Sequence, residues 1–370
     1  MLIQNWLFGI KFKHNIYKTK MARQVENPHL PPGSLILVTA GNGYVGSHIV
    51  DQCLAYGYAV RTTVRSLERN AWLKRDLASR HPNANLDVVE VADLSAPGCF
   101  DAALKGVSAM IHTPGFTNME DPDIVEKTIK LTKNALGAVH EANKNGEKVK
   151  RFVLTSSSWA VKYPVPNVEA DIPEDQYDES VQKALSNPDI PEEYRAFMLY
   201  VQSKIVGEQT AWEYVKQNTD CGFVLNTVIP ATCIGPVLAP SEQEYPSTAG
   251  FIRSLHESQR QGIFDVLEPQ YYVDVRDAGR LHLAGAVLDG VENRRIFAWA
   301  GPYTWIGVAD ALEKEMGQRT TIKLADKGED LTTVLAKPTA ESYLKRLGES
   351  DWVPFEKAVG ECIRSYYPKA

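Results

Sequence analysis

Cysteine is scarce in this chain of 370 residues. The five cysteines are scattered, and no two of them form a C-x-x-C pair: Cys53, Cys99, Cys221, Cys233 and Cys362. An odd number of isolated cysteines indicates neither a disulfide framework nor a zinc site, and it fits a reducing compartment. The eight histidines contain no H-x-x-x-H pair, so metal-dependent hydrolysis has little support. We therefore predict a cytoplasmic protein without a metal site.

Long apolar runs and an excess of positive charge are also missing. No stretch approaches the roughly 18 apolar residues that cross a bilayer, so we predict no membrane partner. The formal net charge is −6, whereas non-specific binding of nucleic acid needs a basic face. Hydrophobic residues make up 44% and charged residues 23%, as in ordinary globular proteins. The length fits two average domains or one large α/β unit.

Residues 1–33 differ from the remainder of the chain. Residues 1–20 contain four lysines and no acid, and three prolines and Gly33 precede the first predicted strand. We interpret 1–33 as a disordered N-terminal extension, or residues 1–20 as the product of an upstream start codon. A mitochondrial presequence is the alternative, which the lack of Arg and Ser in 1–20 disfavours.

From Ser34 onward, short apolar runs alternate with longer amphipathic stretches. The pattern predicts strands at 35–39, 59–64, 86–91, 107–112, 151–156, 223–229 and 295–299, and helices at 45–56, 67–79, 123–143, 192–216 and 276–288. Strands separated by helices of this length pair in parallel through right-handed crossovers. The sequence therefore predicts an α/β fold with a doubly wound parallel sheet, over residues 34–235 and completed by about 271–300.

Two regions depart from this alternation. We predict a smaller, mostly helical lobe that binds the substrate, formed by residues 236–270 and 301–370. Residues 171–195 carry eight acids against two basic residues, together with three prolines. Because charge runs usually face water, we interpret this segment as a solvated surface loop, with a lid as the alternative.

A glycine-rich turn, Thr39 to His48, joins the first predicted strand to the first predicted helix. Glycines let the backbone turn tightly and approach a pyrophosphate, and the helix N-terminus offers free N–H groups to phosphate oxygens. This position in a βαβ unit predicts dinucleotide binding, so we identify the predicted sheet as the NAD(P)-binding Rossmann fold. The predicted contact residues in the turn are Gly41, Gly43, Tyr44, Val45 and Gly46.

Positive charge follows the second predicted strand, where an acid would hold a ribose 2′-hydroxyl. Arg65 and Arg69 stand there instead and suit a 2′-phosphate, which favours NADPH/NADP over NAD. The alternative is that both arginines are ordinary surface residues. After the third strand, Asp93 is predicted to accept from the adenine amino group, with a helix cap as the other explanation, and Leu94 is predicted to contact the cofactor.

Tyr200 and Lys204 lie one turn apart on the long helix predicted at 192–216. A neighbouring ammonium stabilises a phenolate, which makes tyrosine a usable proton donor around neutral pH. Hydroxyl side chains from Thr155 to Ser158 end the fifth strand, at the sheet edge where open α/β sheets bind ligands. One of these hydroxyls can hydrogen-bond a substrate carbonyl.

Together these stretches resemble the extended short-chain dehydrogenase/reductase family from about Leu35 onward. Within it, the likeness is greatest to the dihydroflavonol-reductase-like branch and to fungal NADPH-dependent aldehyde and ketone reductases. The stretches that carry the resemblance are 30–39, 150–157, 200–204 and 269–273.

The resemblance implies roles for particular residues. It implies a catalytic triad of Ser157, Tyr200 and Lys204, in which Ser158 is the alternative serine because the serine run leaves the register open by one. It implies that Tyr200 and Lys204 also contact the cofactor. Thr113 would lie beside the cofactor after the fourth strand, and Pro230 would border the nicotinamide.

One position departs from the family pattern and another has two explanations. Ala40 occupies the first glycine position of the family's turn, so we expect its φ to stay negative or the turn to shift by one residue. Asn134 matches a recurrent family position, although a hydrogen bond from its helix to the backbone explains it equally well.

The predicted function is NADPH-dependent reduction of an aldehyde or ketone, with Tyr200 as the proton donor. The alternatives are a sugar-nucleotide epimerase or dehydratase of the same family and a non-catalytic NADP-binding redox sensor. We expect a small-molecule carbonyl or alcohol as substrate, and a monomer or homodimer. Candidates for an apolar pocket, each of which could equally be core, are Phe116, Tyr163, Met198, Tyr271 and Tyr272.

Overall fold

A computed structural model of the chain describes residues 23–113, 115 and 121–368, without the side chain of Glu193. The strands of this part are β1 (Leu35–Val38), β2 (Ala59–Val64), β3 (Leu86–Glu90), β4 (Ala109–His112), β5 (Arg151–Thr155), β6 (Ala170–Ile172), β7 (Val224–Pro230), β8 (Thr232–Ile234), β9 (Gln270–Asp274), β10 (Arg295–Ala298), β11 (Gly301–Tyr303) and β12 (Thr332–Val334). Its helices are α1 (Tyr44–Ala55), α2 (Ala71–Arg80), α3 (Ile124–Lys144), α4 (Ser180–Leu185), α5 (Glu192–Gln217), α6 (Pro240–Gln243), α7 (Ala249–His256), α8 (Gln261–Val266), α9 (Val275–Val287), α10 (Trp305–Met316), α11 (Lys337–Arg346) and α12 (Phe355–Tyr366). A 3₁₀ turn, Ser158–Ala160, follows β5.

Seven parallel strands form the central sheet in the order β10-β7-β5-β4-β1-β2-β3. The predicted doubly wound sheet is therefore confirmed. From β1 the chain moves outward to β2 and β3 and then returns to β4 on the other side of β1. In such sheets the crevice at the carboxyl ends of the strands, where the order reverses, is the usual ligand site. Here that crevice lies between β1 and β4.

The sheet is buried on both faces, which explains its apolar strands. Successive side chains of β1 point to opposite faces: Ile36 and Val38 join a core with α1 and α9, and Leu37 joins a core with α3 and α5. Helices α3 and α5 pack closely at Gly207, where a Cβ would lie only 3.0 Å from the Cγ2 atom of Thr128. Glycine at this position lets α5 approach α3.

Part of the predicted N-terminal extension is ordered. Residues 23–30 lie against α9 and α11: Arg23 pairs with Glu349 at 2.5 Å, and the His29 N–H donates to the Val287 carbonyl at 2.7 Å. Leu30 is buried, and its carbonyl accepts from the Tyr58 hydroxyl at 2.9 Å. The disorder expected for residues 1–33 is therefore wrong for this part, because an apolar side chain and two backbone contacts fix it. Residues 1–22 lie outside the described residues.

The acidic segment 171–195 is more regular than the predicted surface loop. It contains the end of β6, helix α4 and the start of α5, and the side chains of Val181 and Ile190 are buried. Asp178 precedes α4 and accepts the Ser180 N–H at 2.8 Å. Buried apolar side chains therefore anchor this segment, which a count of its charges does not reveal.

The segments beyond the central sheet are mostly helical, as predicted, but they also contain strands. Helices α7, α10 and α12 pack together, with Trp305 against Phe251 and Phe264. Strands β11, β9 and β8 form a second sheet, and β12 pairs with β6. Across the described ranges, no helix has the length and apolarity needed to cross a membrane.

Two buried histidines join the core near the strand ends. His282 of α9 donates through Nδ1 to the Ala278 carbonyl at 2.7 Å, so its Nε2 accepts from the Thr155 hydroxyl at 2.8 Å. Burial lowers the pKa of His282 to about 4 and the pKa of His112 to about 3. Both imidazoles are neutral in the folded protein at pH 7, and both ring nitrogens of His282 are hydrogen-bonded.

Acid should therefore destabilise the fold. Below pH 6.5 the unfolded chain protonates these histidines while the folded chain does not, so the free energy of unfolding falls as the pH falls toward the folded pKa values. Each histidine contributes about 1.4 kcal/mol per pH unit to that slope. We expect urea unfolding of His282→Gln between pH 6 and 4.5 to show a slope smaller than wild type by about this amount. Equal slopes would contradict a neutral buried His282.

Candidate functional site

Two of the three turn glycines are required by the fold itself. A Cβ at Gly41 would lie 2.0 Å from the Thr62 hydroxyl oxygen, and one at Gly46 would lie 2.4 Å from the Ala40 carbonyl oxygen. At Gly43 the nearest described atom would be 3.4 Å away, and its φ of −71° suits any residue. Close approach of a ligand is the remaining physical reason for glycine at 43.

The N-terminus of α1 is open toward the crevice. Gly43 is the N-cap and supplies no side-chain acceptor, and the first turn carries no acid. Among the described residues, the backbone N–H groups of Tyr44, Val45 and Gly46 have no acceptor, which suits phosphate oxygens. The Tyr44 phenol is buried and donates to the Gly235 carbonyl at 2.7 Å, so only the backbone of Tyr44 is available to a cofactor.

Ala40 adopts a left-handed backbone with φ of +54°, so the expected negative φ is wrong. Its N–H donates to the Thr63 hydroxyl at 3.1 Å, and its carbonyl accepts the Gly43 N–H at 3.1 Å. The turn thus keeps the geometry that a glycine would give. The methyl group adds a local strain of roughly 1–2 kcal/mol.

The residues predicted to select the cofactor are exposed beside β2 and β3. The guanidinium groups of Arg65 and Arg69 have no hydrogen bond or ion pair within the described part of the chain. Ser66 holds their loop, accepting the Arg69 N–H at 3.4 Å and the Asn70 amide at 2.8 Å. Helix α2 therefore begins at Ala71, four residues later than predicted.

Asp93 and Leu94 have local partners in the structure. The Asp93 carboxylate accepts the N–H and the hydroxyl of Ser95 at 2.8 and 2.7 Å, and these hydrogen bonds lower the pKa of the Asp93 carboxyl. The Leu94 carbonyl accepts from the Asn134 amide at 2.8 Å, which confirms the backbone hydrogen bond as an explanation of Asn134. No helix begins in the described stretch between β3 and β4, so the helix-cap explanation of Asp93 is wrong: its carboxylate closes a local turn with Ser95 instead. Its contact with adenine stays a prediction.

The carboxyl ends of β1 and β4 are joined by hydrogen bonds. The Thr113 N–H donates to the Thr39 hydroxyl at 3.1 Å, and the Thr113 hydroxyl donates to the Thr39 carbonyl. Thr113 therefore lies at the base of the crevice, and the cofactor contact that the family resemblance implies for it stays a prediction. On the other side of β5, Pro230 is the last residue of β7 and is buried.

The serine run after β5 divides into different roles. Ser156 donates to the Glu208 carboxylate at 2.7 Å, and Ser158 is buried at the start of the 3₁₀ turn. Ser157 accepts the Trp159 N–H at 3.3 Å and is half-buried, and its hydroxyl hydrogen has no acceptor among the residues that the structure describes. This arrangement favours Ser157 over Ser158 as the hydroxyl that meets a substrate.

Tyr200 and Lys204 lie together on α5, near the ends of β4 and β5. The Lys204 Nζ atom is 4.8 Å from the centroid of the Tyr200 ring, and it is 2.7 Å from the position that a Cβ at Gly115 would occupy. The Tyr200 ring also meets the Trp159 ring edge-on at 6.1 Å. The structure thus brings Tyr200 and Lys204 to the strand ends that carry Thr113 and Ser157.

An aromatic cluster borders Tyr200, and the sequence reasoning missed most of it. Phe197 contacts Trp159 at 5.2 Å and Tyr163 at 6.0 Å between ring centroids, and Trp159 donates to the Gln270 side chain at 3.2 Å. Phe197 precedes Tyr200 by three residues, so helical spacing alone would have placed it on the same face.

The five pocket candidates divide between this cluster, the core and the undescribed part of the chain. Tyr163 belongs to the cluster, whereas Met198 and Tyr272 are buried in the core. The Tyr271 hydroxyl donates to the Thr332 carbonyl at 2.5 Å. Phe116 lies outside the described residues.

Ala40 provides a test of the turn. Ala40→Gly should raise the free energy of unfolding by roughly 0.5–1 kcal/mol, because relief of the left-handed strain exceeds the entropy that glycine adds to the unfolded chain. The same substitution in the middle of α3, Ala138→Gly, should lower it by about 1 kcal/mol. Chemical denaturation of both variants gives the comparison. A loss of stability in both would show that the turn does not have this backbone conformation.

Comparison with known proteins places the chain in a family. Residues 36–296 match the NAD dependent epimerase/dehydratase family. The chain is 34% identical to aldehyde reductase 2 of Sporidiobolus salmonicolor, over 92% of this chain and 98% of that protein. It is 32% identical to ketoreductase adrE of Penicillium rubens, over 90% of this chain and 96% of that protein.

A solved structure shows the same fold. The crystal structure of yeast methylglyoxal/isovaleraldehyde reductase Gre2 complexed with NADPH superposes with a TM-score of 0.71 at 20% identity, covering 90% of this chain and 97% of that chain. The resemblance to the extended short-chain dehydrogenases/reductases and to fungal aldehyde and ketone reductases is thereby confirmed. With its sheet, glycine turn and Tyr200–Lys204 pair, the chain belongs to the NAD dependent epimerase/dehydratase family.

Proposed function

We propose that this chain is an NADPH-dependent reductase of small aldehydes or ketones. The observation that carries the proposal is the placement of Tyr200 and Lys204 on α5 beside the strand ends that bear Ser157 and Thr113. A proton donor, a cation and a free hydroxyl donor thus adjoin the crevice between β1 and β4. The relatives at 34% and 32% identity are named as an aldehyde reductase and a ketoreductase, which supports the same reaction class.

The described residues fit a dinucleotide phosphate. The open N-terminus of α1 and the unobstructed Gly43 would hold the pyrophosphate, and Arg65 and Arg69 would hold the 2′-phosphate. Lys204 would bind the nicotinamide ribose, as the family resemblance implies. When bound, NADPH supplies the hydride for reduction of the carbonyl carbon.

Three side chains act on the carbonyl oxygen of the substrate or on the group that protonates it. Ser157 donates a hydrogen bond to that oxygen, which holds it beside the Tyr200 hydroxyl. Tyr200 donates its proton to the oxygen as negative charge develops there. The Lys204 ammonium stabilises the phenolate that remains. At about 4 Å and an intermediate dielectric, such a pair of charges interacts by roughly 4 kcal/mol before solvation costs.

Removal of the Tyr200 hydroxyl tests the proton donor. We expect Tyr200→Phe to lower kcat for NADPH-dependent reduction by a factor of 10² to 10⁴, the range typical for loss of a general acid. The assay follows NADPH oxidation with aldehydes, α-ketoesters, diketones and flavonoid-type ketones. Tyr214→Phe is the matched control, because it removes a hydroxyl from the same helix about 21 Å farther along its axis and should retain activity.

The outcomes of that assay also separate the alternative functions. Full turnover by Tyr200→Phe would overturn the role of Tyr200. Tight NADPH binding without oxidation on any carbonyl, in wild type, would favour the redox sensor. Turnover of nucleotide sugars with a cofactor retained through purification would favour the epimerase or dehydratase.

Exposed positive charge beside β2 tests the choice of cofactor. The double variant Arg65→Ala and Arg69→Ala should lower kcat/KM for NADPH by about 10- to 100-fold, because it removes charge-assisted hydrogen bonds worth roughly 1.5–3 kcal/mol. The value for NADH should change little. Arg75→Ala, an exposed arginine on α2 paired with Asp76, is the control and should leave both values unchanged. Equal losses with both cofactors would contradict recognition of the 2′-phosphate.

A further inference from the structure

A buried carboxylate lies two turns beyond Tyr200 on the same helix. Tyr200, Lys204 and Glu208 follow one another at intervals of four residues along α5 and therefore share one face of it. The Glu208 side chain is completely buried, although no step of the proposed reaction uses it. A buried charge of this kind is retained only where hydrogen bonds and an opposite charge compensate for lost hydration.

The partners of Glu208 come from three neighbouring strands. One carboxylate oxygen accepts from the Thr227 hydroxyl of β7 at 2.8 Å and from Arg295 Nε of β10 at 2.7 Å. The other oxygen accepts from Arg295 Nη2 at 3.1 Å and from the Ser156 hydroxyl, directly after β5, at 2.7 Å. Within α5, Trp212 Nε1 donates at 3.3 Å. A single side chain thus joins α5 to β5, β7 and β10.

Arg295 extends this network to the segment before α4. Its Nη1 donates to the carbonyl oxygens of Glu174 and Gln176 at 2.6 and 2.8 Å, and its guanidinium lies 4.2 Å from the centroid of the Tyr177 ring. These contacts are shielded from solvent, because the Arg295 side chain is only 8% exposed. The forked guanidinium and the carboxylate form a two-point pair, which fixes orientation as well as distance.

We propose that Glu208 and Arg295 are positioning residues that hold Tyr200 and Lys204 in register with Ser157. The inference rests on the proposed function. Ser156 is the neighbour of Ser157 in the chain and binds the carboxylate that lies one turn beyond Lys204. A rotation of α5, or a shift of the segment after β5, would break this contact. The catalytic hydroxyls and the ammonium therefore keep their spacing through a network that touches no substrate.

The test compares two glutamates that each partner a buried arginine. Glu208→Gln retains the size of the side chain but leaves Arg295 uncompensated, whereas Glu292→Gln removes the partner of Arg151 at the opposite end of β5. We expect Glu208→Gln to lower kcat at least 10-fold while KM for NADPH changes less than 3-fold. Glu292→Gln should keep the wild-type kcat and the wild-type KM for NADPH, whatever its thermal stability.

A second variant covers the case in which Glu208→Gln does not fold. Ser156→Ala leaves the ion pair intact and removes only the link to the residue before Ser157, so kcat should fall 3- to 10-fold with KM for NADPH unchanged. Wild-type kcat in both variants, or an equal loss of kcat in Glu292→Gln, would overturn the inference. A wild-type chain that reduces no carbonyl would overturn the proposed function instead, and the inference with it.

Discussion

The reversal of strand order at β1 is the constraint on which the functional site depends. Parallel pairing of β1 with both β2 and β4 satisfies its backbone on each side and sends the chain away from it in two directions. The crevice that results opens at the carboxyl ends of the strands. That edge of the sheet carries the glycine turn, Thr113, Ser157 and the Tyr200–Lys204 pair, although these residues are spread over more than 160 residues of sequence.

In the glycine turn, some glycines are required by protein packing, whereas another leaves room for a ligand. Gly41 and Gly46 leave room for Thr62 and for the Ala40 carbonyl, so the protein itself requires them. Gly43 meets no such demand and faces the open helix terminus. Ala40 keeps a left-handed backbone without the freedom of glycine, since hydrogen bonds to Thr63 and Gly43 hold it there. Ala40 thus adopts a backbone conformation that favours glycine, because its surroundings hold it there.

Local pattern predicted the central sheet well because its strands are short, apolar and bounded by turns. β2 has the predicted bounds, and α3 and α5 differ from prediction by one residue at their ends. The pairing of Tyr200 with Lys204 could also be predicted from the sequence, since their helical spacing is a property of the sequence itself. Other features depend on distant partners. Leu30 is ordered by contacts with Tyr58 and α9, and Glu208 pairs with Arg295, which lies 87 residues away in the sequence. No local sequence pattern predicts these two contacts.

The central claim is that Tyr200, Lys204 and Ser157 serve a hydride transfer to a carbonyl carbon. The most direct measurement is mass spectrometry of the alcohol formed from an unlabelled aldehyde or ketone with NADPH that carries deuterium at both hydrogen positions of C4 of the nicotinamide. The account predicts one deuterium on the former carbonyl carbon and none on the hydroxyl after exchange with water. Product without the label, or label released to the solvent, would contradict it.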